Sequence, residues 1–154
     1  MNRKWYPLWY LLIGAVIILC DQITKQWALS ALHDGPMRIS SWLTLRLVFN
    51  RGISWGMFSS EHALLFWLIT FAILVITLSI AVMAYRSYLK NRFFGGELLV
   101  MAGAISNLID RFAHRGVIDF IELSYKGWAW PIFNIADCSI VLGVICIFIT
   151  QYRK

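Results

Sequence analysis

"ALLFWLITFAILVITLSIAVMAY", residues 63–85, runs for 23 residues without an acidic or basic side chain. At ~1.5 Å of rise per residue, such a helix crosses a ~30 Å hydrocarbon core. Three other apolar stretches flank it. Residues 8–20 are uncharged and continue past Asp21 toward Trp27, residues 98–109 extend back to Phe93 across Glu97, and residues 132–150 carry one acid, Asp137. The first and third reach spanning length only if their polar residues sit at the ends. Composition agrees: the chain of 154 residues is 60% hydrophobic and 14% charged, against roughly 45–50% and 25% in a soluble domain. A chain this short cannot hide so much apolar surface in a water-soluble core. The expected fold is an all-α membrane protein, one domain over residues 1–154. Its four transmembrane helices lie at about 8–27, 62–85, 94–112 and 132–151.

The net charge of +6 is explained by topology rather than by nucleic acid, and no nucleic-acid partner is expected. Arg3 and Lys4, then Arg86, Lys90 and Arg92, then Arg153 and Lys154 crowd the short segments at the two termini and between spans two and three. Basic residues concentrated in short loops mark the cytoplasmic side, so an N-in/C-in arrangement follows. The basic start, apolar run and "ALSA" at 28–31 imitate a cleavable leader, but Asp21 and Lys25 interrupt the run, and a retained anchor is expected. Cys20, Cys138 and Cys146 form neither a CxxC nor a Cys/His pattern, so small buried residues is the plain reading and no metal site is expected.

The longer connections carry the elaboration. "SWLTLRLVFNRGISWGMF" (41–58) alternates, with Leu43, Leu45 and Leu47 on one side and Thr44, Arg46 and Val48 on the other, the period of a strand. Trp42, Trp55 and Phe58 suit a small sheet at an aromatic-rich membrane surface. A β-rich extracytoplasmic platform over about 38–58 is therefore expected, and "RGVIDFIELSYKGWAWP" (115–131) has similar character.

A charge at bilayer depth costs roughly 2.5–3.5 kcal/mol on insertion scales, so such residues are paired or functional. Asp21, Lys25, Asn107, Asp110, Arg111, Asn134 and Asp137 all fall at the outer ends of spans one, three and four. Asp21 and Lys25, four apart, read most simply as an interfacial ion pair with Lys25 snorkelling outward. Asn107, Asp110 and Arg111 share a helix face and read as helix-end solvation. Ala102, Gly103 and Ser106 read as a close helix contact. Asn134 followed by Asp137 resembles a capping box. Asp119 alone reads as the exposed side of a short strand. Asp119 and Asp137 together are two acids in apolar surroundings, where one proton is shared. One carboxylate can then take a proton from water while the other polarises a carbonyl. No HExxH is present.

Five blocks then coincide with a known family. "DQITK" (21–25), "NRGISWGMF" (50–58), "GAISNLIDR" (103–111), "GVIDF" (116–120) and "FNIAD" (133–137) resemble, in order, the signature blocks of bacterial lipoprotein signal peptidase, signal peptidase II. The resemblance implies that Asp119 and Asp137 are the catalytic dyad and that Asn50, Gly52, Asn107, Arg111 and Asn134 surround dyad and substrate. It implies a structural pair in Asp21 and Lys25. It further implies cleavage of prolipoproteins just before a diacylglyceryl-modified cysteine, at the outer face of the bacterial inner membrane, with no metal or cofactor and with inhibition by globomycin. Ser106 stands where the family commonly has glycine, and Ile53-Ser54-Trp55 replaces a commoner small-small-Phe run.

The expectation is thus a multi-pass intramembrane aspartyl endopeptidase, a monomer working among membrane lipids on lipid-modified prolipoproteins. A proton or ion pathway is the rival class, and a bare membrane anchor a third. A pathway requires acids at successive depths, and away from the outer ends the spans offer only Glu97.

Overall fold

The computed structural model describes residues 6–52 and 63–152. Trp55, Phe58, the Ile53-Ser54-Trp55 run and the terminal basic residues lie outside the described residues. Four helices carry the chain: α1 (Tyr6–Ala31), α2 (Ala63–Leu89), α3 (Gly95–His114) and α4 (Ile135–Tyr152). Strands β1 (Met37–Arg38) and β2 (Leu43–Asn50) lie between α1 and α2, and β3 (Val117–Tyr125) and β4 (Trp128–Ala129) between α3 and α4. They form one antiparallel sheet in the order β1-β2-β3-β4.

Two helices, over Leu8–Ala31 and Ala63–Leu89, are long and apolar enough to cross a membrane, and Ile135–Thr150 is a shorter apolar helix. The helices turn apolar side chains outward: Leu11 is 67% exposed, Leu64 72% and Phe71 64%, while Lys25, Asp21 and Asn134 are fully buried. A water-soluble domain does the reverse. Cys20 and Cys138 follow the same rule. They are exposed rather than buried, since an outward small apolar group costs nothing where the surroundings are apolar.

α3 is the hub, packing on α1, α2 and α4. Its approach to α4 is close because Gly96 and Gly143 face each other. A Cβ at Gly143 would lie 2.7 Å from the Gly96 carbonyl oxygen, and one at Gly96 would lie 2.9 Å from that of Gly143. Small residues allow such backbone contact between helices. α3 ends on Arg115 in the left-handed region (φ 54°), which turns the chain into β3. The hairpin from β3 to β4 turns through Lys126 (φ 49°) and Gly127 (φ 84°), two positive φ values that suit the twist of the strands.

Three expected boundaries move by three or more residues, and the second helix runs four past 85, to Leu89. The first helix continues four residues beyond 27, to Ala31, with Leu32 donating one more helical bond to Ala28. The last helix begins at Ile135, not 132, because Phe133 is held extended. Its N–H donates to the Ile121 carbonyl and its carbonyl accepts from Phe120 and Ile121.

Candidate active site

β2 starts in register with β3, Leu43 opposite Leu123 and Leu45 opposite Ile121, and then slips: Val48 lies opposite Asp119 and Asn50 opposite Val117. Two residues, Arg46 and Leu47, thus span one position of β3, which is a β-bulge. The alternation expected through Leu47 and Val48 fails there. Side chains of a ladder alternate in face, so one extra residue exchanges the faces of everything after it. The slip puts Asn50 on the Asp119 side, where its Nδ2 donates to Asp119 Oδ2 at 3.0 Å.

α4 opens with the expected capping box. Asn134 Oδ1 accepts the Asp137 N–H at 2.9 Å, and the Asn134 N–H donates to Asp137 Oδ2 at 3.3 Å. With its oxygen committed to the cap, the Asn134 Nδ2 faces inward and donates to Asp119 Oδ1 at 2.7 Å. Asn134 therefore touches both acids. Asn107 supplies a third amide, its Nδ2 donating to Asp137 Oδ1 at 2.9 Å. Each of the three asparagines has its oxygen held by a donor elsewhere: Gly52 N–H for Asn50, Asp137 N–H for Asn134, Lys25 Nζ for Asn107. Each NH₂ group must then point at a carboxylate, which fixes the amide orientations.

Asp119 is 2% exposed, a buried acid rather than the exposed face of a strand. Burial, and next the charge of Asp137, push its carboxyl from the ordinary 3.8 up to about 7, against the pull of Asn50, Asn134 and Lys25. It can therefore hold a proton close to neutrality.

Lys25 does not snorkel. Its three N–H groups go to Asp21 Oδ2 at 2.6 Å, Asp110 Oδ2 at 2.7 Å and Asn107 Oδ1 at 2.8 Å. Asp110 is part of this buried ion network, not a solvated helix end. Ser106 also exceeds its packing role, donating to Asp21 Oδ2 at 2.7 Å and accepting from Gln22 Nε2 at 3.0 Å. Arg111 lies beneath, donating to the Gly52 carbonyl and to Thr70 Oγ1 at 3.5 Å, with its guanidinium 5.4 Å from the Phe66 ring centre. Among the described residues, Arg111 Nε is a buried donor left without a partner.

The acids border a cavity of about 700 Å³. Asn50, Gly52, Asn107, Arg111, Asp119 and Asp137 form its polar part, and Ile73, Ala104 and Leu142 from α2, α3 and α4 contribute to an apolar wall. Six of the seven residues proposed from sequence for the dyad and its surround line this cavity, and the seventh, Asn134, hydrogen-bonds both acids behind it. Asp21 and Lys25 stand one layer behind. Gln22, Ser106, Asp110, Thr70 and Phe66 join them through contacts made between helices, for which the chain carries no local spacing signal.

The family model for signal peptidase (SPase) II matches residues 13–153. The lipoprotein signal peptidase of Oleidesulfovibrio alaskensis is 38% identical over 145 residues, covering 92% of this chain and 93% of that protein. Its counterpart from Polynucleobacter necessarius is 34% identical, covering 94% and 90%. Among solved structures, one described as a bacterial membrane enzyme superposes with a TM-score of 0.78 at 27% identity, covering 96% of this chain and 90% of its own.

Proposed function

Because the chain belongs to the signal peptidase II family, we propose that it is an aspartyl endopeptidase that removes the signal peptide from prolipoproteins, cutting before the diacylglyceryl-modified cysteine. The observation that carries the acid mechanism is Asn134, whose amide and backbone N–H join the buried carboxylate of Asp119 to the half-buried one of Asp137 at the rim of one cavity.

Two such acids cannot both ionise at low cost, so the pair holds one proton. The ionised carboxylate takes a proton from a water lying between them, and that oxygen attacks the scissile carbonyl. The protonated carboxyl gives its proton to the carbonyl oxygen, producing a tetrahedral diol. On collapse the carboxyl that took the water's proton passes it to the departing amide nitrogen, a diol hydroxyl returns its proton to the other carboxylate, the C–N bond breaks, and the pair is again singly protonated. Arg111 Nε supports a role in substrate binding, as a buried donor awaiting an acceptor such as a peptide carbonyl. The apolar wall suits acyl chains, and their binding energy positions the bond at the acids. Globomycin inhibition belongs to the same proposal.

Four spans with both termini inside put this site at the extracytoplasmic face of the bacterial cytoplasmic membrane. Arg86 in the last turn of α2, with Lys90 and Arg92 in the connection that follows, supports that orientation. Trp128 on β4, and Trp42 and Trp130 just beside the strands, are exposed, side chains that favour the membrane–water interface.

The test is cleavage by the purified protein of a prolipoprotein peptide with and without the diacylglyceryl group, read by mass spectrometry. A single cut before the cysteine is expected, at least ~100-fold slower without the lipid. Equal rates on the two peptides, or cuts scattered along both, would sink the reading.

A further inference from the structure

The ion network behind the acids is joined to both of them through the backbone. Asp21 Oδ1 accepts the N–H of Ala136, the residue before Asp137, at 2.7 Å. Asp110 Oδ2 accepts the N–H of Ile118, the residue before Asp119, at 3.2 Å. Lys25 Nζ bridges those two carboxylates at 2.6 and 2.7 Å. Its third N–H goes to the oxygen of Asn107, which turns the Asn107 amide onto Asp137. β3 and the start of α4 are thereby tied to one ammonium, which is fully buried with Asp21 while Asp110 is 1% exposed.

We propose that the Asp21–Lys25–Asp110 triad is a spacing clamp, with Lys25 as the positioning residue that sets the distance between Asp119 and Asp137. Stability alone is a poor reason for such a cluster, since buried ion pairs are often matched or exceeded by apolar side chains of similar volume. A device that fixes two backbones relative to each other does need charge, because its hydrogen bonds are short and directional. The clamp rests on the peptidase reading above and adds residues to that site.

Lys25 and Asp21 also sit within the field of the pair, and this gives their variants a pH signature that mere scaffolding lacks. The charged groups around the acids are Asp21 and Lys25 from α1 and Asp110 and Arg111 from α3, while α2 brings the neutral Thr70. Removing a cation makes the pair keep its proton to higher pH, and removing an anion does the opposite.

The experiment compares wild type, Lys25→Met and Asp21→Asn in detergent on the lipidated peptide, each normalised to its folded fraction. For Lys25→Met, kcat is expected to fall ~100-fold with KM within about threefold, the cost of a displaced reacting group. Its pH–rate profile is expected to move upward by about one unit. Asp21→Asn keeps an acceptor for Ala136 and is expected to lose less, with its profile moved downward. Should Lys25→Met not fold, the profile of Asp21→Asn decides. Unmoved profiles in the folded variants, with wild-type kcat per folded molecule, would overturn the clamp and leave the peptidase reading intact. Absence of cleavage by wild type at every pH overturns both.

Discussion

Asp119→Asn and Asp137→Asn are each expected to lower kcat on a lipidated prolipoprotein peptide by at least ~1000-fold, since an amide can neither accept a proton from water nor deliver one. The changes preserve shape, so binding should survive and KM should stay near wild type. The double variant is expected to be no worse than the worse single, because residues that act as a unit lose their function together. The geometry adds a signature. Both oxygens of Asp119 accept from amide NH₂ groups, Asn50 on Oδ2 and Asn134 on Oδ1. An asparagine at 119 turns its own NH₂ toward one of those donors in either orientation. A lowered thermal midpoint should therefore accompany the lost turnover, and rates need normalising to folded protein. Turnover within tenfold of wild type in either folded variant would contradict the assignment of that acid.

Gly103→Ala is expected to cost ~100-fold in kcat, as a reacting group is shifted by a change that never touches substrate. A Cβ at Gly103 would lie 2.4 Å from the Ala136 carbonyl oxygen and 2.7 Å from Ile140 Cγ1. The obstacle is backbone, so α4 must move rather than a flexible side chain. Ala136 is the residue between the Asp21 anchor and Asp137, so the displacement reaches the cap and the acid directly. Gly143→Ala provides the contrast. Its Cβ would collide at 2.7 Å with the Gly96 carbonyl oxygen and with Val100, nearer the start of α3 and away from the acids. That variant should lose stability with kcat per folded molecule near wild type. Equal loss of kcat in both would mean that helix separation in general, rather than the placement of Asp137, limits the reaction.

How far the chain announces this arrangement depends on the range of the interaction. Residues 63–85 are apolar on every side, and α2 follows from them alone. Asn134 and Asp137 are three apart, and a capping box is a local device, so its reading survives intact. The Leu43–Leu45 alternation gives β2 its first half for the same reason. It fails at Arg46 and Leu47, because a bulge is settled by the partner strand. Lys25 fails differently. Four-residue spacing from Asp21 describes an ion pair on one helix, whereas the second carboxylate and the asparagine that draw it inward belong to α3, more than 80 residues away. The cysteines mislead for a third reason: burial rules learned from water-soluble cores invert when the exterior is apolar.

The most direct test of the paired acids is the dependence of wild-type kcat/KM on pH. A pair holding one proton works only between two ionisations, so the profile should be bell-shaped. With Asp119 held up to about 7, the protonated partner is lost as pH rises through that value, and the alkaline limb should fall there. Activity that stays level or keeps rising from pH 6 to 9 would contradict a shared proton and with it the two-acid mechanism.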